Sequence, residues 1–157
     1  MFAKLPFAEE INVEENEIQI IKSGAFNELA YVKLNMSHNQ ISTIEKDAFQ
    51  TCVNVTVLDM RYNLIDNFTK DAFDEFSYAT EWLLQFNKLK SVKDIPLKFM
   101  SGIKILNVSH NELETVPKFS FPKLYELHTV DFSHNNISDI AAAVFTTLFS
   151  IRFIDLR

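Results

Sequence analysis

An asparagine recurs along this chain at an almost constant interval. Successive copies lie 23 residues apart once and 24 residues apart four times. A period of roughly 20 to 50 residues is typical of a solenoid, in which each repeat is one structural unit that stacks on its neighbours. Counted as the first to the sixth repeat, these residues are Asn16, Asn39, Asn63, Asn87, Asn111 and Asn135.

Six apolar positions recur in register with this asparagine. They lie five and three residues before it, and two, five, ten and thirteen residues after it. The tenth residue after the asparagine is phenylalanine in every repeat except the fourth, where it is Leu97. An apolar pattern that is held through successive repeats predicts one continuous core running along the array. In the third repeat these positions are Leu58, Met60, Ile65, Phe68, Phe73 and Phe76.

The pattern LxxLxLxxNxLxxIxxxxFxxLxx resembles the leucine-rich repeat. This resemblance implies an α/β solenoid with short parallel strands on its concave face and turns with short 3₁₀ or helical segments on its convex face. The alternating apolar pair before the asparagine marks the strand, and the phenylalanines fill the convex side. We expect a helical turn near residues 46–49 or 71–76. The asparagine side chains would form a structural ladder that satisfies the backbone groups following each strand.

The repeats assign residues 1–157 to a single array. It contains six full repeats of about 24 residues and a truncated seventh that begins at Ile151. Extracellular members of the resembled family usually end in cysteine-rich caps, and this sequence has none. We therefore expect the chain to be a fragment of a longer array, with Phe132, Ile154 and Leu156 partly exposed at its last repeat.

The composition argues against several functional classes. The chain has 15 basic and 21 acidic residues, a net charge of −6, which argues against a nucleic-acid partner. Two glycines cannot build a phosphate-binding or dinucleotide-binding loop, and we expect no cofactor. The single cysteine, Cys52, excludes an internal disulfide and a CxxC site. Cys52 and Trp82 lie in core columns, so both are predicted to be buried, with a partner for the indole N–H.

Five N-x-[ST] sequons suggest a compartment for the parent protein. Random placement of 13 asparagines and 20 serines or threonines would give fewer than two sequons in 157 residues. The excess predicts a secreted or cell-surface protein. No stretch approaches the roughly 20 apolar residues of a membrane-spanning helix, so this segment is not expected to insert into a membrane. The candidate glycosylation sites are Asn35, Asn54, Asn67, Asn107 and Asn136.

Binding in a solenoid depends on the exposed strand positions of the concave face. Val57, Leu83 and Ile105 fall on adjacent strands, which are about 4.8 Å apart. With two aromatic residues from the following turns they are predicted to form an apolar patch, and such patches often mark protein contacts. The predicted protein-binding residues are Val57, Asp59, Arg61, Tyr62, Leu83, Gln85, Phe86 and Ile105.

The polar residues of this face do not suggest metal binding or catalysis. His38, His110 and His134 share one column, which is too few converging ligands for a metal site, and we interpret them as repeat filler. Asp131, Ser133 and His134 are nearly consecutive, but no third group orients a base and no oxyanion donor is apparent. No catalytic residue is assigned, and the chain is predicted not to be an enzyme.

Within the resembled family, the period, the Ser-His-Asn phrase and the run at residues 121–128 are most similar to chaoptin-like adhesion proteins of insect photoreceptors. That resemblance implies a lipid-anchored cell-surface protein acting in cell–cell adhesion. Its partner would be another protein, including a second copy of itself. Two alternatives stay open: a ligand-binding ectodomain of a Toll-like signalling receptor, and a cytosolic leucine-rich repeat scaffold.

Overall fold

The computed structural model describes residues 2, 5, 7–69, 71–74, 76 and 78–157. Seven short parallel strands form one sheet in the order β1-β3-β5-β6-β7-β9-β11, and the pairs β2–β4 and β8–β10 form two smaller sheets. The strands, in chain order, are β1 (Glu10–Asn12), β2 (Ile20–Ile21), β3 (Lys33–Asn35), β4 (Thr43–Ile44), β5 (Val55–Asp59), β6 (Ala79–Leu83), β7 (Ile105–Asn107), β8 (Thr115–Val116), β9 (Thr129–Asp131), β10 (Asp139–Ile140) and β11 (Phe153–Asp155).

Every strand of the main sheet pairs with the equivalent strand of the next repeat. Leu34 lies opposite Leu58, which in turn lies opposite Trp82. Because each parallel pair is connected through the far side of the coil, the chain winds as a solenoid. The predicted fold class, a leucine-rich repeat solenoid, is confirmed.

A stack of phenylalanine rings runs through the convex half of the core. The rings of Phe26 and Phe49 are 5.4 Å apart and those of Phe49 and Phe73 are 4.8 Å apart, in each case nearly parallel. The fourth repeat places Leu97 in this column, and the stack resumes with Phe121. Offset stacking of this kind stabilises aromatic pairs beyond the area they bury.

The convex segments are mostly turns, and the two short helices are not where the sequence predicted them. Residues 46–51 and 71–74 form turns rather than a helical turn. Their hydrogen bonds between residues three apart, such as that from Gln50 N–H to Asp47 O, are isolated, whereas a 3₁₀ helix needs such bonds at consecutive residues. The 3₁₀ helices lie instead in the fourth repeat, at Val92–Asp94 and Leu97–Phe99. The Ser91 hydroxyl caps the first of them by accepting the N–H of Lys93 at 3.2 Å.

The repeating asparagines connect one repeat to the next through the backbone. Asn63 donates its amide to the carbonyls of Met36 and Met60, and its side-chain oxygen accepts the N–H of Ile41 at 2.9 Å. Equivalent bonds form at every later asparagine of the ladder and at the one before it. Asn16 is the exception, because it is exposed and donates only to carbonyls of its own repeat.

The last repeats differ from expectation at one residue. Phe132 was predicted to be partly exposed, but it is buried. Strand β11 covers it, since the Phe132 N–H donates to the carbonyl of Asp155 at 2.8 Å and the ring packs against Phe121. Ile154 is half-buried and Leu156 is exposed, as expected.

Two unusual core residues are also buried. The Cys52 thiol donates to the carbonyl of Phe26, and burial raises its pKa to about 11, so the thiol is unreactive in the folded chain. Trp82 is fully buried, with its ring 5.3 Å from those of Phe68 and Phe73. The predicted partner for its indole N–H is absent among the described residues.

Candidate functional site

The concave face presents four columns of side chains that run across the repeats. The second column is the last residue of each strand, the first column lies two residues before it, and the third and fourth columns lie in the turn that follows. In the first column Val57 lies opposite Glu81, which lies opposite Ile105. In the second, Asp59 lies opposite Leu83, which lies opposite Asn107. The predicted apolar residues therefore alternate with polar ones and are neighbours only along diagonals.

The second column is structural in six of its seven positions. In each of those six, an asparagine or aspartate oxygen accepts the backbone N–H two residues later, at 2.9 to 3.1 Å. This local turn fixes the direction in which the chain leaves the strand. The residues involved are Asn12, Asn35, Asp59, Asn107, Asp131 and Asp155.

These bonds turn several predicted surface residues inward. Asp59 was predicted to contact a partner, but only 4% of it is exposed, and its carboxylate binds Arg61. Side chains of the second and third columns are buried wherever the turn draws them against the backbone. The buried residues of these two columns are Asn35, Ser37, Asp59, Ser109, Ser133 and Asp155.

The fourth repeat departs from this arrangement. Leu83 stands where the other repeats have asparagine or aspartate, and its side chain cannot accept the N–H of Gln85. The side-chain oxygen of Gln85 is buried and has no partner among the described residues. This repeat has thus lost one structural hydrogen bond and left one acceptor unsatisfied. A local loss of this kind is typical of a functional position.

Around Leu83 lies a half-buried apolar surface with a carboxylate inside it. Val57, Leu83 and Ile105 are all half-buried, and so is Glu81. Glu81 and Leu83 lie on the same face of β6, about 7 Å apart along the strand. We call these four residues the β6 patch.

Five rings form a continuous stack beside the patch. Neighbouring ring centroids are 4.2 to 4.3 Å apart and the planes lie within 15° of parallel. Tyr62 and Phe86, both predicted site residues, occupy its middle and are 40% and 39% exposed. Because each face is covered by a neighbour, the stack presents ring edges to solvent. This ring ladder consists of His38, Tyr62, Phe86, His110 and His134.

The ring ladder lies in strained backbone. Its five residues have φ between 52° and 57°, in the left-handed region that side chains of this size rarely adopt. This conformation costs about 1–2 kcal/mol per residue. An asparagine follows each ring, and in every repeat of the ladder except that of Phe86 an Asx-type turn precedes it, so these bonds hold the backbone there. The turn sets where each ring leaves the backbone, and stacking on its neighbours orients the ring.

We call the first three columns the strand columns, and each of their basic side chains is paired within the chain. Lys33 lies 3.0 Å from Glu10. Arg61 donates to both oxygens of Asp59, and these hydrogen bonds raise the pKa of its guanidinium. Arg157 binds Asp155 in the same way and lowers the pKa of that carboxyl to about 2.

The sequon asparagines differ in accessibility. Asn35 is 8% exposed and donates to Glu14 at 3.0 Å. Asn107 donates to Asp131 at 3.1 Å across the concave face. The others lie off that face: Asn67 and Asn136 are exposed, and Asn54 is half-buried.

Other features of the described chain add no catalytic or metal site. A flank cavity of about 380 Å³ lies between the third and fifth repeats and is lined by Phe68, Ile95 and Phe119 among others. Among the described residues, no cluster of three or more histidine, cysteine or acidic side chains is arranged to hold a metal ion. Within the same residues, no helix has the length and apolar character needed to cross a bilayer.

Comparison with known proteins agrees with this architecture. The leucine-rich repeat family model matches residues 32–89 and 101–157, and the chain belongs to that family. The leucine-rich repeat solenoid is typically a non-enzymatic interaction module. A search of curated protein sequences finds no significant match.

Solved structures share the fold, and 81 chains match significantly. One is the crystal structure of a TLR13–ssRNA13 complex, a Toll-like receptor with RNA, at a TM-score of 0.79 and 18% sequence identity. The alignment covers 94% of this chain and 21% of the receptor chain, so this chain spans about a fifth of that protein. At this sequence identity, the similarity shows a shared fold and nothing about function.

All five residues of the ring ladder were named from the sequence, but the stacking of their rings on one another was not predicted. Tyr62 and Phe86 were assigned to an apolar patch, and the histidines of the same column were assigned to repeat filler. The signal was present, since the residue before the asparagine has a planar ring in five successive repeats. Stacked repeats necessarily bring such residues together.

Proposed function

We propose that this chain is a protein-binding leucine-rich repeat module of a cell-surface protein, and that it acts in cell–cell adhesion. The observation that carries the proposal is the fourth repeat, which gives up its Asx-type turn to place Leu83 on the concave face. The β6 patch and the ring ladder beside it supply a fixed, partly apolar surface of the kind that protein partners cover. The adhesion role is supported by the resemblance to chaoptin-like repeats.

A polyanion suits this surface poorly. The strand columns hold six carboxylates, and the three cations among them are already paired. Nucleic-acid binding depends on free lysine and arginine that neutralise phosphates. The RNA in the TLR13 complex is therefore not carried over to this chain.

Replacing Leu83 with asparagine tests the proposed contact surface. Asparagine can rebuild the Asx-type turn found in the neighbouring repeats, so the variant is expected to fold with a stability within about 1 kcal/mol of the parent. Beads coated with the unsubstituted chain should attach to animal cells. The cells are either unmodified, to offer another protein as the partner, or display this chain on a lipid anchor, to offer a second copy of it. Trypsin treatment of the cells should abolish attachment, and L83N beads should bind about tenfold less.

Phe119→Ala provides the matched control. Phe119 is 81% exposed and lies away from the concave face, so F119A beads should attach like the parent. Attachment that survives in L83N, or that survives trypsin, would contradict a concave protein contact.

Glycan occupancy tests the proposed location. Expressed behind a signal peptide in animal cells, secreted molecules should carry glycans on Asn67 and Asn136. Asn35 and Asn107 should be empty, because a glycan there would displace their side-chain hydrogen bonds to Glu14 and Asp131. Glycopeptide mass spectrometry measures each site. Full occupancy of Asn107 would cover the β6 patch, and an absence of glycans despite secretion would remove the support from the sequons.

A further inference from the structure

Glu81 is the one acidic residue of the strand columns whose carboxylate has no hydrogen-bond or ion-pair partner among the described residues. Glu10, Asp59 and Asp155 are each paired with a cation of the same face. Glu14 accepts from Asn35 at 3.0 Å. Asp131 accepts from Asn107 at 3.1 Å. The Glu81 carboxylate makes no hydrogen bond or ion pair with any described residue.

The surroundings of Glu81 are apolar on three sides. Val57 lies opposite it on β5 and Ile105 on β7, with neighbouring strands about 4.8 Å apart. Leu83 follows on the same face of β6. A partner that covers the three apolar side chains must also remove water from this carboxylate, and a desolvated charge without a counter-charge is strongly unfavourable.

We propose that Glu81 is the specificity-determining residue of the β6 patch and receives a lysine or arginine of the partner protein. Charge complementarity carries this inference, because the strand columns supply no unpaired cation of their own. The partner residue is a cation flanked by apolar side chains that cover Val57, Leu83 and Ile105. The inference rests on the proposed function, since it concerns the same surface.

The probe is a phage-displayed library of random peptides selected on the immobilised full chain. Peptides that bind should carry lysine or arginine next to apolar residues. Synthetic versions are then titrated against the parent chain, E81Q, L83N and E126Q by biolayer interferometry. Glu126 is exposed and outside the concave face, so E126Q removes the same charge without touching the patch.

We expect E81Q to weaken the selected peptides about tenfold or more, and E126Q to leave them unchanged. Replacing the peptide cation with norleucine should weaken binding to the parent chain about as much as E81Q does. Binding of the norleucine peptide to E81Q should be little weaker than either single change, as a direct pair requires. E81K should lose these peptides and select acidic ones instead.

The outcomes separate the two proposals. Peptides that are lost with L83N but bind E81Q and E81K normally would overturn the role of Glu81 and leave the concave contact standing. A selection that yields no L83N-sensitive peptide, or L83N-sensitive binding of a single-stranded RNA oligomer included as a second probe, would overturn both.

Discussion

Replacing Asn87 with alanine is expected to lower the free energy of unfolding by about 4 kcal/mol. The Asn87 amide donates to the carbonyls of Met60, Leu84 and Gln85, and its oxygen accepts the N–H of Ile65 at 3.0 Å. Alanine removes all four bonds, each with a net value of about 1 kcal/mol. The three carbonyls keep a second donor, but the buried N–H of Ile65 loses its partner. Each buried group left without a partner costs about 1–3 kcal/mol.

Urea unfolding measures this effect with two probes. Far-ultraviolet circular dichroism follows the whole array, and the fluorescence of Trp82, the single tryptophan, follows the fourth repeat itself. If the fourth repeat opens before the rest, the fluorescence transition of N87A should move to lower urea than the dichroism transition. Repeat arrays allow such separation because each unit contacts only its neighbours.

Asn16→Ala is the matched control for the ladder. Asn16 is exposed and bonds only within its own repeat, so N16A is expected to cost less than about 1 kcal/mol. The same substitution at two ladder positions thus separates bonding between repeats from side-chain loss alone. Equal effects of N16A and N87A would contradict the role assigned to the ladder.

The register of the sheet was predictable from the sequence because the period leaves little freedom. With Leu34, Leu58 and Trp82 in equivalent positions of successive repeats, stacking equivalent units brings them opposite one another. A slip of one residue would move every core side chain to the outer face. Six apolar columns exclude that slip at once, and so the strand pairs and the core follow from spacing alone.

Side-chain orientation in the turns was not predictable in the same way. Alternation along β5 assigns Asp59 to solvent, as it does Val57. The structure buries Asp59 because its oxygen accepts the N–H of Arg61 and its carboxylate binds that guanidinium. A pattern with a period of two describes extended backbone, and it fails where the chain enters the left-handed region at Tyr62.

The position of the helical turns depends on a different local feature. Turn signals near residues 46–49 and 71–76 resemble short helices, yet the 3₁₀ helices form in the fourth repeat. There Ser91 caps Val92–Asp94, and Pro96 supplies a fixed φ before Leu97–Phe99. These caps could have been found in the sequence, and they outweigh the weak helical periodicity of the other repeats.

Replacing Phe73 with alanine is the second large effect expected, again about 4 kcal/mol. Phe73 is fully buried and contacts the rings of Phe49, Phe68, Phe76 and Trp82, with centroids 4.8 to 5.7 Å away. Alanine would leave a cavity among rigid rings that cannot collapse to fill it. The same urea titration measures the loss, and the fluorescence of Trp82 should change as its neighbour is removed.

Phe73→Leu separates the filling of space from aromatic stacking. Leu97 already occupies this column in the fourth repeat, so leucine is compatible with the packing, and F73L should cost only about 1–2 kcal/mol. F119A makes the same chemical change as F73A on the surface and should stay within about 0.5 kcal/mol of the parent. If F73L were as costly as F73A, ring contacts rather than volume would hold the convex core together. If F73A lowered the free energy of unfolding as little as F119A, the phenylalanine stack would not contribute to the stability of this solenoid.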